Sequence, residues 1–235
     1  MNPKTTIFII LLTFVYSSIY AQEAVNGFDA DGKRHGTWQK TYEGNTNVRY
    51  EGQFEHGKEV GRFTYYANNP KKLLVATRDF KPGSDEVLVT YYASNGNIMS
   101  QGVMTGKERE GEWKYFHKNS KVVMNIENYA NGKLHGTYET FYKNGQLIES
   151  VHYEHGLRNG KSFTYYPNGK KSGEFVYNND KLHGEVKYYD VEGRPTSEGR
   201  YKNDKRVGIW KFYKEGNLVE TKNYTPIKNP KYKNK

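Results

Sequence analysis

From residue 32 onward the chain runs in short stretches where aromatic or apolar residues alternate with polar ones, with turn signals between them and no helical period. The stretch Trp210-Lys211-Phe212-Tyr213 reads as a strand with two aromatics on one face and the third on the other. Tight turns follow such strands. Asn95-Gly96, Asn144-Gly145 and Asn168-Gly169 are dipeptides that favour a type I′ hairpin turn. A second strand then returns, as in Leu147 to Tyr153, and a glycine-lysine turn leads into the next hairpin.

The hairpins repeat. Taking the second glycine of the turns GKRHG, GKEVG, GKLHG, DKLHG and DKRVG as an anchor gives Gly36, Gly61, Gly111, Gly136, Gly160, Gly184 and Gly208. Glu86 fills the remaining slot, and the steps are 24 or 25 residues. Two further markers keep the same beat. Tyr42, Tyr66, Tyr92, Phe116 and their successors close the first strands; Phe54, Phe80, Met104, Tyr129 and theirs close the second. Three markers in step over eight units predict an all-β, elongated and twisted antiparallel meander, solenoid-like, of eight β-hairpin repeats. Sixteen strands exceed the ~10 at which open twisted sheets curl or split, so a strongly twisted ribbon is expected. Asn68-Asn69-Pro70 and Lys81 to Glu86 make the early units irregular.

The ends of the chain read differently. Lys4, an apolar run from Ile7 to Val15 and small residues up to Ala21 predict a signal peptide over residues 1–21. The run is shorter than the ~20 residues a membrane-spanning helix needs, so no transmembrane span is expected once it is removed. Export to the periplasm or the extracellular space follows, with Gln22 as the first mature residue. Residues 22–31 read as an N-terminal linker, 32–224 as the repeat array, and 225–235 as a disordered basic tail.

Composition sharpens this picture. Hydrophobic residues are only 35% of the chain, yet aromatics are 15%, with 22 tyrosines and 24 glycines. Such a chain stacks aromatic plates between strands rather than aliphatic side chains between helices. With no cysteine, stability rests on repeat stacking instead of disulfides. The net charge is +10, and +9 without Lys4, the sole charged residue of the leader. That balance suits an acidic protein, anionic lipid or surface polysaccharide; export argues against nucleic acid.

The pattern G-x-W-x-x-Y-x-x-N-G-x-L … Y-x-x-G-K-x-x-G resembles the bacterial variant of the MORN repeat, found in YwqK-type antitoxins. Gly136-Thr137-Tyr138 through Asn144-Gly145-Gln146-Leu147 to Tyr153 is the nearest copy, and Gly208-Ile209-Trp210 through Tyr213 to Tyr224 is similar. The resemblance covers residues 32–224. It implies a scaffold for proteins or lipids and, through the antitoxin label, direct neutralisation of a toxin. An intracellular antitoxin needs no signal peptide, which sets this chain apart.

Catalytic signatures are missing: there is no HExxH, GxSxG, P-loop or dinucleotide fingerprint. No enzyme activity, cofactor or metal is expected. His35, His135 and His183 share one repeat position, and His56 and His155 another. With strands ~4.8 Å apart, equivalent residues lie ~10 Å apart in neighbouring units and ~19 Å apart two units away, so His135 and His183 cannot share an ion. One slot of aromatics remains for binding: Tyr65, Tyr91, Tyr115, Phe141, Tyr165, Tyr188 and Phe212. Phe141, Tyr165, Tyr188 and Phe212, in the most regular units, are the expected centre of a partner-binding ladder. The expected partner is a protein in the cell envelope, a toxin included, with anionic lipid or polysaccharide as the alternative.

Overall fold

A computed structural model describes residues 25–225, and the expected signal peptide and all but the first residue of the expected basic tail lie outside them. Among the described residues there is no helix; eighteen strand segments form one sheet. Apart from two short segments, each strand pairs antiparallel with the next in sequence. Two of the segments, Lys133–Leu134 and Lys181–Leu182, are first turns of strands that resume one residue later at Gly136 and Gly184. Counted as continuous strands they give the sixteen that the repeat demands.

The register explains the three sequence markers. Each second-strand closing residue sits directly opposite an anchor: Gly36 faces Phe54, Gly61 faces Phe80, Gly136 faces Tyr153 and Gly184 faces Tyr201. In the third unit it is Val87, not Glu86, that occupies this position, opposite Phe80 on one side and Met104 on the other. The spacing there is irregular because Lys81 to Glu86 replaces the usual turn.

The anchor glycines do not make turns, as the sequence reading had them. Gly61, Gly111, Gly160 and Gly208 lie inside strands with φ of 64°, 61°, 98° and 67°, and the ladder slips beside them. They are bulges, where glycine takes the left-handed conformation without a Cβ penalty. The third unit has no glycine at this slot, and there the ladder between Leu74–Phe80 and Glu86–Tyr92 runs without a slip. A second slip falls near the other end of each hairpin, for example between Lys40 and Thr41 and between Tyr188 and Tyr189. Bulges bend strands and add twist. Slips at both ends of most hairpins let a sheet this long coil instead of splitting.

Turn chemistry is also placed differently. At Asn144-Gly145 only the glycine has positive φ; Gly145 N–H donates to Tyr142 O, and Asn144 Oδ1 accepts from Gln146 N–H. This is a three-residue connection closed by a left-handed glycine. Both central residues are left-handed in the other turn row, at His56-Gly57, Asn131-Gly132, His155-Gly156, Asn179-Asp180 and Asn203-Asp204. There the type I′ geometry is found.

Residues 25–31, expected as linker, fold back on the first unit. Phe28 bridges Arg34, Asn26 N–H donates to Thr37 O, and His35 N–H donates to Gly27 O. This short hairpin covers the leading edge, as edge strands require.

Candidate functional site

Residues directly opposite in an antiparallel ladder share a face, so register assigns every aromatic. Tyr65 faces Ala76, which faces Tyr91, then Ser100, then Tyr115. The same row continues through Asn125, Thr140, Glu149, Thr164 and Gly173 to Tyr188, Ser197 and Phe212. Tyr188 and Phe212 therefore stand with Tyr65, Tyr91 and Tyr115. Phe141 and Tyr165 do not. Thr140 and Thr164 take their places, and the two aromatics lie one residue further along, on the opposite face. The expected four-residue ladder is divided between two surfaces.

The face that keeps Tyr188 and Phe212 is the aromatic one. Beside their row run Phe63, Trp113 and Trp210, each fully buried, and then Phe54, Phe80, Tyr129, Tyr201 and Tyr224. Ring centroids lie 5.2 Å apart for Phe54–Phe63, 5.5 Å for Phe63–Phe80 and 5.2 Å for Tyr201–Trp210. Edge-to-face contacts of this kind add to simple burial.

A single-layer sheet has no second layer to bury a tryptophan, and the sequence supplies two substitutes. Beneath, the ring lies flat on a glycine of the adjoining strand. A Cβ on Gly102 would come within 2.3 Å of Trp113, and one on Gly199 within 2.3 Å of Trp210. Above, an arginine four residues earlier stacks over the ring: Arg34 over Trp38 at 4.9 Å, Arg109 over Trp113 at 4.8 Å, Arg206 over Trp210 at 4.3 Å. Each indole N–H is satisfied by a backbone carbonyl, Gly27, Val103 and Arg200 respectively. The motif R-x-G-x-W thus writes ring, bulge and cover into one strand. Ser162 occupies the tryptophan slot of its unit, and its buried hydroxyl has no hydrogen-bond partner.

The opposite face is polar and tied by hydroxyls. Tyr66 donates to Glu51 at 2.8 Å, Tyr189 to Glu174 at 3.3 Å and Tyr213 to Glu198 at 2.9 Å. Tyr42, Tyr142 and Tyr166 reach the next unit, donating to the carbonyls of Tyr66, Tyr165 and Tyr189. Tyr165, like Phe141 whose carbonyl takes His117, is thereby part of the unit-to-unit stitching. A groove of about 490 Å³ opens on this side between Glu185, Lys187, Glu198, Arg200, Ile209 and Lys211. Its charges largely satisfy one another, Lys211 with Glu198 at 3.0 Å and Arg200 with Glu185 at 3.7 Å.

Burial of the phenols also sets a pH dependence. Burial, then the Tyr201 hydroxyl, pushes Tyr188 up to about 12; burial and Glu51 push Tyr66 up to about 12. Tyr115 and Tyr129 are raised as well, first by burial. A group whose folded pKa lies above its unfolded value of about 10 contributes its full stability below that pH. The contribution fades as pH climbs through the folded value. Alkaline titration followed at the tyrosinate absorbance should therefore show a late-ionising group of phenols that includes Tyr66, Tyr115, Tyr129 and Tyr188, together with loss of the β circular dichroism signal. Absence of any late-ionising group in a still-folded chain would contradict this packing.

Comparison with known proteins bears on the same repeats. Residues 109–131, 134–155 and 158–179 each match the family described as MORN repeat variant. These three units are therefore MORN-type repeats, and the register carries the same hairpin through the others. No curated protein matches it. Among solved structures it is similar to a crystal structure of a S. aureus TarM mutant in complex with Fondaparinux, alpha-GlcNAc-glycerol and UDP. Identity there is 16% and the TM-score 0.23 over 52% of this chain, which spans 19% of that one, a likeness that carries no argument.

Proposed function

We propose that this MORN-repeat array is a non-enzymatic scaffold, exported by its N-terminal leader, that binds a protein partner in the cell envelope through its aromatic face. One observation carries the reading: half-buried tyrosines and stacked arginines share a single surface along the sheet. Arginine, tyrosine and tryptophan are the side chains that dominate interface energetics, because they offer large contact area at low entropic cost. Packing covers the tryptophans on both sides, and it is the row of Tyr65, Tyr91, Tyr115, Tyr188 and Phe212 that stays partly open to solvent. The antitoxin resemblance makes a toxin one candidate partner. The second reading, binding to anionic lipid or surface polysaccharide, draws on the same arginines.

Ionic strength separates the two. Exposed charge pairing is screened once the Debye length falls to about 3 Å in 1 M salt, whereas aromatic burial is not. Immobilised mature protein is expected to hold one specific envelope protein in both low and high salt. Recovery only of anionic vesicles or polysaccharide, and release of both in high salt, would replace the first reading with the second.

A further inference from the structure

The histidines meet in a way that comparing equivalent positions conceals. His35 precedes the anchor of the first unit, while His56 is the first left-handed residue of the following type I′ turn. Across the hairpin their rings approach to 5.2 Å. The same two slots bring His135 and His155 to 5.6 Å. In a later unit His183 meets Asn203 instead, at 3.3 Å. Among the described residues, only the first pair has a carboxylate beside it. Asp29 Oδ2 accepts from His56 Nδ1 at 2.7 Å, and ligand atoms of Asp29, His35 and His56 all lie within 4.8 Å of one another.

The carboxylate is held in place. Its Oδ1 accepts the backbone N–H groups of Asp31 at 3.0 Å and Lys33 at 2.8 Å, which leaves Oδ2 directed at the imidazoles. Its side chain is 10% exposed, against 65% for His56, so a fixed acid stands beside an imidazole free to adjust. Ala130 occupies the matching place beside His135 and His155, immediately before its own turn. The fold therefore contains the same histidine pair twice, once with the acid and once without.

We propose that Asp29, His35 and His56 bind a divalent transition-metal ion, Zn²⁺ or one of its Cu²⁺ and Ni²⁺ neighbours, at the leading end of the array. Two imidazoles and one carboxylate are a donor set suited to these ions rather than to Ca²⁺ or Mg²⁺, which take oxygen. Ligands on a tetrahedral Zn²⁺ lie ~2.0–2.2 Å from the ion. His35 must therefore close in slightly while Asp29 and His56 move a little apart, exchanging their 2.7 Å hydrogen bond for the metal. Such an ion would pin the N-terminal hairpin to the turn between the second and third strands, joining residues on both sides of the first unit.

Calorimetric titration of the chelator-stripped mature chain with ZnCl₂ tests this. One ion per chain should bind, with MgCl₂ and CaCl₂ giving no heat. Asp29→Ala and His56→Asn should each weaken binding tenfold or more. Asparagine keeps the left-handed turn, as Asn203 does in the eighth unit, so circular dichroism should stay unchanged. His155→Asn, which dismantles the pair lacking an acid, should leave the affinity as it is. No saturable binding, equal affinity in Asp29→Ala, or loss of binding in His155→Asn would each overturn the proposal.

Discussion

Trp113→Ala is expected to lower the stability of the array by about 3–5 kcal/mol, the cost of removing a fully buried large aromatic from a packed site. Trp113 is 0% exposed and is the centre of a cluster with Val87 and Val89 that Phe80, Met104, Tyr115 and Tyr129 enclose. The loss should exceed ordinary truncation because Arg109 would forfeit the ring beneath it. Its cation–π contacts reach Trp113 at 4.8 Å and Tyr129 at 5.3 Å. Gly102→Ala tests the same packing from below. A methyl group there meets the indole at 2.3 Å, well inside contact distance, so the ring must be displaced at a cost of about 1–3 kcal/mol. In a Trp113→Ala background the same change should cost almost nothing, since the two positions share one contact. Chemical denaturation of the four proteins gives the coupling. Additive effects would show that the tryptophan does not rest on the glycine.

Tyr188→Ala and Phe212→Ala should each weaken partner binding by about 2 kcal/mol or more, while Phe141→Ala and Tyr165→Ala should not. The division follows from register. Tyr188 and Phe212 share the aromatic face; Phe141 and Tyr165 stand on the opposite one, with their carbonyls taken by His117 and Tyr142. Tyr188 packs edge-on to Phe175 at 5.4 Å, and Phe212 stacks along Trp210 at 6.4 Å. Both are half-buried, so truncation also costs some stability, and the binding measurement belongs at a temperature where each variant is fully folded. Equal losses from all four substitutions would mean that the sheet does not present its faces differently to the partner.

The repeat, the strand count and the hairpin meander were legible in the chain because a fixed period leaves three markers in step. Two of those markers, the anchor glycine and the closing aromatic of the second strand, are cross-strand partners, as Gly36 and Phe54 show. The faces were harder to read. Counting back from the closing tyrosine of each first strand places Phe141 and Tyr188 in one slot. Counting forward from the anchor does not, since Phe141 follows Gly136 by five residues and Tyr188 follows Gly184 by four. Side chains alternate along a strand, so that one residue changes the face. The anchor count was the better guide because the anchor is fixed opposite its partner.

The turns misled for a related reason. Asparagine-glycine favours the type I′ geometry in isolation, but here bulges beside the turns consume the extra residue, and the left-handed pairs fall at His56-Gly57 and its equivalents. The R-x-G-x-W motif was present three times, at Arg34–Trp38, Arg109–Trp113 and Arg206–Trp210. Its meaning depends on a bulge that swings the arginine back over the ring, and composition alone does not show that. The meeting of His35 with His56 was hidden because it joins two different repeat slots, whereas a search along one slot compares only distant equivalents.

The central claim is that the aromatic face, and not the charged opposite face, receives the partner. Site-specific photocrosslinking tests it most directly, with a photoreactive phenylalanine analogue replacing Tyr188 in one protein and Phe141 in another, each exposed to the envelope fraction. The account predicts a discrete crosslinked adduct from the Tyr188 position, competed by unlabelled protein, and none from Phe141. An adduct from Phe141 with none from Tyr188 would contradict it.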